Sequence, residues 1–170
     1  MCCCRIRRSL PDTGWSTTPW PTALFVSMSS ISGERTHFIK GAQELYSRAV
    51  TDGWARNGHD GFVYTTDWDG QPVVSARLHW VTTEAIGAAA TLARTVGEQR
   101  YVDDYLRWWG YADRFHIDRE HGSWSHELTE FNEPTATIWP GKPDLYHAYQ
   151  ATLTGQLAPA TSFAAAILSS

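Results

Sequence analysis

The sequence predicts an all-α fold, built as an arc of paired helices with short β-hairpin loops on one face. Apolar residues recur at three- and four-residue steps in four separate segments, which is the spacing of amphipathic helices. The order of helix, hairpin and helix occurs twice, and Gly61 and Gly122, which begin the two hairpins, are 61 residues apart. Because stacked helical pairs need neighbours on both sides, we expect this stretch to form part of a larger ring or solenoid.

The first predicted helix begins at Glu34 and ends near Trp54. Its expected apolar stripe consists of Phe38, Ile39, Ala42, Leu45, Tyr46 and Ala49. A β-hairpin follows, because two short β-prone runs flank Asp69-Gly70, a dipeptide that favours tight hairpin turns.

Two further helices are predicted after this hairpin, within 76–97 and 99–117, and Gly97 ends the first of them. The expected stripe of the earlier helix is Leu78, Val81, Ala85, Ala88 and Leu92. That of the later helix is Val102, Tyr105, Leu106, Trp109, Ala112 and Phe115. A second hairpin is predicted within 122–141, and Pro143 is expected to be the first residue of a fourth helix, where its missing N–H costs nothing.

Residues 1–33 differ from the rest of the chain, because they show no sustained apolar period and contain three prolines. Their cysteines, Cys2, Cys3 and Cys4, are consecutive, so they lack the spacing of a metal site and have no cysteine elsewhere to pair with. We therefore divide the chain into an aberrant segment, 1–33, and a helical domain, 34–170. The cysteine usage predicts a reducing, cytoplasmic setting.

Composition and charge argue against two classes of partner. The net charge is -4, with 14 basic and 18 acidic residues and no basic run beyond 5–8, so nucleic acid is not an expected partner. The apolar run at 23–28 is far too short for a membrane span. Aromatic residues make up 13% of the chain, with nine tryptophans, and such rings either fill cores or line sugar sites.

Several polar residues are candidates for chemistry. His147 lies near the start of the fourth helix, whose partial positive charge disfavours an imidazolium, so it is either a neutral general base or a packed structural side chain. Glu84 lies among small apolar residues, where a carboxylate is costly to bury without a partner or a function. Asp144 is expected as an acid in the first helical turn. Trp80 and Trp139 either form the floor of a sugar site or belong to the core.

The histidines near the second hairpin do not have the spacing of a metal site. His116, His121 and His126 lack the i, i+4 spacing of a helical metal pair, and no cysteine lies near them in sequence. We therefore predict no metal. Lys142 is expected to be solvated at a loop tip.

Three blocks of the sequence resemble a known family. "RLHWVTTEAIGAAATL", "RWWGYADRFHIDREHGSWSHEL" and "TIWPGKPDLYHAYQATL" resemble the C-terminal part of the N-acylglucosamine 2-epimerase superfamily, most closely its aldose-ketose isomerase branch of mannose and sulfoquinovose isomerases. The three blocks occur in order between residues 34 and 157. The resemblance implies an (α/α)6 barrel, of which this chain would form the last third to half.

The resemblance also implies a reaction. In this family an opened sugar loses its C2 proton, forms a cis-enediol and is reprotonated at C1, with two histidines as acid and base and with no metal or cofactor. His147 matches the second of these histidines, Glu84 matches a carboxylate of the sugar site, and Trp139 lies near it by motif. A base of near-neutral pKa suits a proton beside a carbonyl.

The other family histidine belongs to a Gly-His-x-x-Glu motif that this sequence lacks. Codons can be chosen for "PDTGWST", residues 11–17, that read Gly-His-Gly-Leu-Glu-His in a shifted frame. Our hypothesis is that 1–33 is a frameshifted reading of the missing catalytic helix, so that the chain is an incomplete and inactive fragment. The DNA sequence upstream tests this hypothesis.

Two alternatives to isomerisation stay open. An (α/α)6 glycan hydrolase or lyase needs two carboxylates beside the scissile bond, and Glu84 and Asp144 are the candidates. A non-catalytic sugar-binding or interaction protein would bind a ligand without turnover. Because an incomplete ring exposes apolar helix faces, we also expect the chain to self-associate.

Overall fold

The computed structural model describes residues 35–157 and 163–168, and it confirms the all-α architecture with short hairpin loops. The elements, in chain order, are α1 (Arg35–Gly53), β1 (Thr65–Thr66), β2 (Pro72–Val74), β3 (Arg77–Leu78), α2 (His79–Val96), α3 (Gln99–Tyr111), a π-helical turn (Ala112–His116), β4 (Glu127–Leu128), β5 (Pro134–Thr135), α4 (Leu145–Gln156) and α5 (Phe163–Leu168). The predictions for Glu34, the cysteines and "PDTGWST" lie outside the described residues.

Helix α2 is the centre of the fold, packed against α3 on one side and α4 on the other. The predicted stripe is confirmed, since Leu78, Val81, Ala85, Ala88 and Leu92 are all buried. The helix ends where expected, because Gly97 adopts a left-handed conformation, with φ 79°, and its N–H donates to Ala93 O at 3.0 Å. Among the described residues, no helix has both the length and the hydropathy needed to span a bilayer.

Helix α3 buries only part of the predicted stripe, in which Tyr105 and Trp109 pack against the core. Tyr101, Trp108 and Ala112 are fully buried, whereas Leu106 is 61% exposed and Val102 is also exposed. The reason is an aromatic cluster, in which the Trp108 ring lies 5.8 Å from Tyr46, 6.0 Å from Trp54 and 5.0 Å from Phe62. Large aromatic rings bury more apolar area than aliphatic side chains such as Val102 and Leu106, so they decide how α3 is rotated about its axis.

The two hairpins repeat the same backbone pattern. In the first, Asp67 N–H donates to Gln71 O at 2.9 Å, and Gly70 N–H donates to Asp67 O at 3.1 Å. The same two bonds recur 62 residues later within 129–133. The internal repeat is therefore confirmed. The first turn is wider than the predicted tight turn, because Thr66 pairs with Pro72 across five loop residues.

Both hairpins lie at the same end of the helices. Strand β3 pairs with β4, which pairs with β5, so the second hairpin continues directly from the strand that precedes α2. Asn132 Nδ2 donates to Asp60 O at 3.1 Å, which joins the second hairpin to the loop before the first. The fully buried Arg77 guanidinium donates to Ser75 O at 2.6 Å and to Asn57 Oδ1. These bonds hold the loops together at the N-terminal ends of α2 and α4.

Candidate active site

Helix α4 begins with an aspartate cap. Asp144 has extended backbone angles, and its Oδ1 accepts from Tyr146 N at 3.1 Å and from His147 N at 3.3 Å. This is N-cap geometry, and it satisfies two of the N–H groups that a helix leaves unpaired at its start. The expectation that Pro143 is the first helical residue is wrong, because Asp144 makes the cap and leaves Pro143 outside the helix.

The same carboxylate orients His147. The Nδ1 atom of His147 lies 3.2 Å from Asp144 Oδ1 and 3.3 Å from Oδ2. Because a carboxylate only accepts, we assign the proton to Nδ1, and in the neutral ring Nε2 then carries the lone pair. Burial alone would raise the pKa of Asp144, but the bonds to His147 lower it overall, so this acid is ionised. His147 is thus a buried histidine with a defined tautomer.

His79 and His126 extend this site. His79 is the first residue of α2, and its backbone N–H donates to His126 O at 3.0 Å. Its ring is fully buried, 4.9 Å from the His126 ring and 5.7 Å from the His147 ring. Burial, followed by the other histidines, lowers the pKa of His79 to about 3, so the ring is neutral at pH 7. No role was assigned to His79 from the sequence.

Trp139 stacks on His126, with ring centroids 5.8 Å apart and planes at 22°. Its loop is held by Glu127, a fully buried acid whose Oε2 accepts from Ile138 N at 2.7 Å and from Trp139 N at 3.0 Å, while Oε1 accepts from Thr137. Sequence reasoning missed Glu127. Nothing local distinguishes it from its neighbours in the hairpin, because its partners come ten to twelve residues later.

Glu84 lies on α2, half-buried, and burial raises its pKa to about 7. Burial raises the pKa of the Tyr146 phenol, and the charge of Glu84 raises it further. The Tyr146 ring packs 3.8 Å from the His147 ring. One turn before Glu84, the Trp80 ring lies 6.3 Å from His147. This edge of α2 therefore faces the start of α4.

The other polar residues considered from the sequence lie outside the group around His147. His116 is fully buried, between Thr82 Oγ1 at 3.3 Å and Ser125 O at 3.2 Å, so it is part of the core. His121 is exposed, and Lys142 forms an ion pair with Asp118. The histidines and carboxylate that lie close enough together to hold a metal, among the described residues, are His79, Asp144 and His147, not the histidines considered from the sequence.

Comparison with known proteins shows the family of this chain. The family model of N-acylglucosamine 2-epimerase (GlcNAc 2-epimerase) matches residues 21–151. The chain belongs to this family. The match begins within segment 1–33, at residue 21. The division of the chain into an aberrant segment, 1–33, and a helical domain, 34–170, stays a prediction.

Relatives in this family carry specific names. D-mannose isomerase from Pseudomonas cannabina pv. alisalensis is 53% identical over 126 residues, which cover 74% of this chain and 30% of that protein. D-mannose isomerase from Thermobifida fusca is 41% identical over 149 residues, which cover 87% of this chain and 37% of that protein. This chain therefore spans about a third of the length of these relatives.

The fold agrees with the family. A crystal structure of D-mannose isomerase superposes with a TM-score of 0.73 at 23% identity, covering 83% of this chain and 37% of that one. The helical pairs described above are thus part of an (α/α)6 barrel, as the sequence predicts.

Proposed function

We propose that this chain forms the part of an aldose-ketose isomerase that carries an acid/base histidine, His147, acting on a mannose-like sugar. The observation that carries the proposal is the Asp144–His147 pair at the start of α4, with Nδ1 to Oδ1 at 3.2 Å. It provides an oriented imidazole beside exposed and half-buried aromatic rings. A small-molecule sugar is the partner that follows, and a cytoplasmic setting stays a prediction.

The proposed proton transfer uses the two ring nitrogens differently. Nε2 of His147 takes the proton from C2 of the opened sugar, the C–H electrons form the C1–C2 double bond, and the C1 carbonyl oxygen takes a proton, which gives the cis-enediol. The proton on His147 then returns to C1 while the C2 hydroxyl loses its proton and becomes the carbonyl of the ketose, so the proton gained by the C1 oxygen is balanced by the one lost from the C2 oxygen. Asp144, hydrogen-bonded to Nδ1, stabilises the imidazolium that forms in between. The sugar is isomerised without net oxidation or reduction.

Aromatic and acidic side chains are placed to bind the sugar. Trp139 is about half exposed, with one face on His126, and Trp80 lies beside His147. Aromatic faces pack against the apolar C–H faces of sugars. Glu84, whose burial raises its pKa to about 7, can both donate and accept a hydrogen bond to a sugar hydroxyl near neutral pH.

The alternative of glycoside hydrolysis is disfavoured by Asp144. That mechanism needs two carboxylates available on either side of the glycosidic bond. The Asp144 carboxylate already accepts from two backbone N–H groups and from the His147 ring, which leaves Glu84 without this partner. A sugar-binding protein without activity has the same aromatic contacts, and turnover distinguishes it.

A chimera tests the proposal, since the chain spans about a third of its relatives. In the Pseudomonas D-mannose isomerase, the matched segment of 126 residues is replaced by that of this chain. We expect the chimera to convert D-mannose to a ketose, followed by NMR. A folded chimera that binds mannose without forming ketose favours the binding protein, and release of sugar from a glycoside favours the hydrolase. A second chimera with the Thermobifida relative controls for a failure to fold.

A further inference from the structure

His79, Asp144 and His147 bring three metal-ligating side chains together from two helices. One donor atom from each lies within 4.8 Å of the other two. His79 starts α2, Asp144 caps α4, and His147 lies in the first turn of α4. We call this group the His-Asp-His cluster. His79 is far from the other two in sequence, so the fold brings it to them.

A second observation points to a ligand. The His79 ring is fully buried, and neither of its nitrogens has a hydrogen-bond partner within residues 35–157 and 163–168. A buried polar group without a partner is costly, and native structures rarely leave one so. The Asp144 carboxylate, which only accepts hydrogen bonds, cannot satisfy a lone pair on this ring. A cation would satisfy it.

The spacing between His147 and Asp144 suits two ligands of one transition-metal ion. The distances from His147 Nδ1 to the two Asp144 oxygens are 3.2 and 3.3 Å. Two ligands each about 2.0–2.1 Å from a tetrahedral Zn²⁺ are separated by about 3.3 Å. Two imidazoles and a carboxylate suit Zn²⁺ and its neighbours in the periodic table, whereas Mg²⁺ and Ca²⁺ prefer oxygen ligands. The Asp144 side chain is 48% exposed, which leaves a path for the ion and a water ligand.

We propose that the His-Asp-His cluster binds one Zn²⁺ ion through His79, Asp144 and His147, with water as the fourth ligand. The ion takes the place of the proton shared between Nδ1 of His147 and Asp144, so metal binding and the hydrogen-bonded pair exclude one another. The proposal concerns metal binding by this chain and does not rest on the proposed isomerisation.

The test is titration of the full 170-residue chain, prepared without a polyhistidine tag, with Zn²⁺ by calorimetry and with Co²⁺ by visible absorption. We expect one ion per chain and the strong Co²⁺ bands of a tetrahedral site. His79→Ala and Asp144→Asn should each weaken Zn²⁺ affinity at least tenfold. Asp144→Asn retains a helix cap, so it decides the matter where His79→Ala fails to fold.

The matched control is His121→Ala, which removes an exposed histidine that also lies near carboxylates, 3.4 Å from Asp118 and 3.9 Å from Glu120. It should leave affinity and stoichiometry unchanged. The proposal is overturned by the absence of saturable one-to-one binding, by equal affinity in Asp144→Asn and the unmodified chain, or by loss of binding in His121→Ala.

Discussion

At the scale of single residues, Asp144 has two functions in one carboxylate. It caps α4 through the N–H groups of Tyr146 and His147, and it holds the His147 ring through Nδ1. Glu84 is unusual for a different reason, since its burial within α2 brings its pKa near neutrality. The sequence predicted Glu84 from the cost of burying an acid. It could not predict the Asp144 contact with Nδ1, which depends on the rotamer of His147.

Replacing Asp144 separates these two functions. Asp144→Ala should lower the free energy of unfolding by about 1 kcal/mol, because the cap is lost. Asp144→Asn should cost a few tenths of that amount, because asparagine also caps helices. Urea denaturation followed by circular dichroism measures both. Equal losses in the two variants would show that the cap is not what Asp144 contributes to stability.

The raised pKa of Glu84 makes stability depend on pH. The unfolded carboxyl ionises near 4.5 and the folded one near 7, so folding loses free energy as pH rises through this window. Glu84→Gln removes this loss, because glutamine does not ionise. The free energy of unfolding of the variant minus that of the wild type should therefore be larger at pH 8 than at pH 4 by about 1–3 kcal/mol.

The measurement is urea denaturation of the wild type and Glu84→Gln at both pH values. The control is Glu44→Gln on α1, an exposed acid, which should show no such pH-dependent difference from wild type. A difference between wild type and Glu84→Gln that is the same at pH 4 and pH 8 contradicts the raised pKa.

At the scale of elements, prediction succeeded where local pattern and packing agree. Helix α2 is buried by neighbours on both sides, so its stripe and its end at Gly97 follow from periodicity. The stripe of α3 was only partly right, since Val102 and Leu106 are exposed while contacts with distant aromatic rings, such as Phe62, bury Trp108 instead. The role of Glu127 could not be predicted, because its partners Ile138 and Trp139 lie in another loop. In each case the structure depends on contacts between residues that are distant in sequence, which a local pattern does not contain.

Glu127 should determine how rigidly the Trp139 loop is held. In Glu127→Gln, an amide oxygen replaces a charged acceptor of two backbone N–H groups, so we expect a loss of about 1–3 kcal/mol in stability. Hydrogen exchange at the amides of Ile138 and Trp139 should become faster than in the wild type. Glu133→Gln, an exposed acid of the same hairpin, is the control. Unchanged exchange in Glu127→Gln would contradict the assigned role.

At the scale of the whole molecule, the fold is an arc of an (α/α)6 barrel whose helices expose apolar residues. Leu106 on α3 is 61% exposed, and Tyr149 on α4 is 64% exposed. In a closed ring, neighbouring helices cover such faces. The sequence predicted the arc and its repeat because the apolar period is local. Whether 1–33 is a frameshifted segment stays a hypothesis, which the gene sequence upstream tests.

These exposed faces lead us to expect self-association. The average mass from light scattering should rise with concentration, and Tyr149→Lys should reduce the rise by placing a charge on the apolar face. Thr152→Lys adds the same charge at an exposed polar position of α4, and should have a smaller effect. A constant monomer mass over the whole concentration range contradicts this prediction.

The central claim is that His147 transfers the proton of the sugar, and solvent exchange tests it most directly. The chimera with the Pseudomonas relative is incubated with D-mannose in ²H₂O, and deuterium in the sugars is followed by NMR. We predict incorporation at C2 of mannose and C1 of the ketose, reduced at least about 100-fold by His147→Gln and unchanged by His121→Gln. Undiminished incorporation in a folded His147→Gln chimera would contradict the claim.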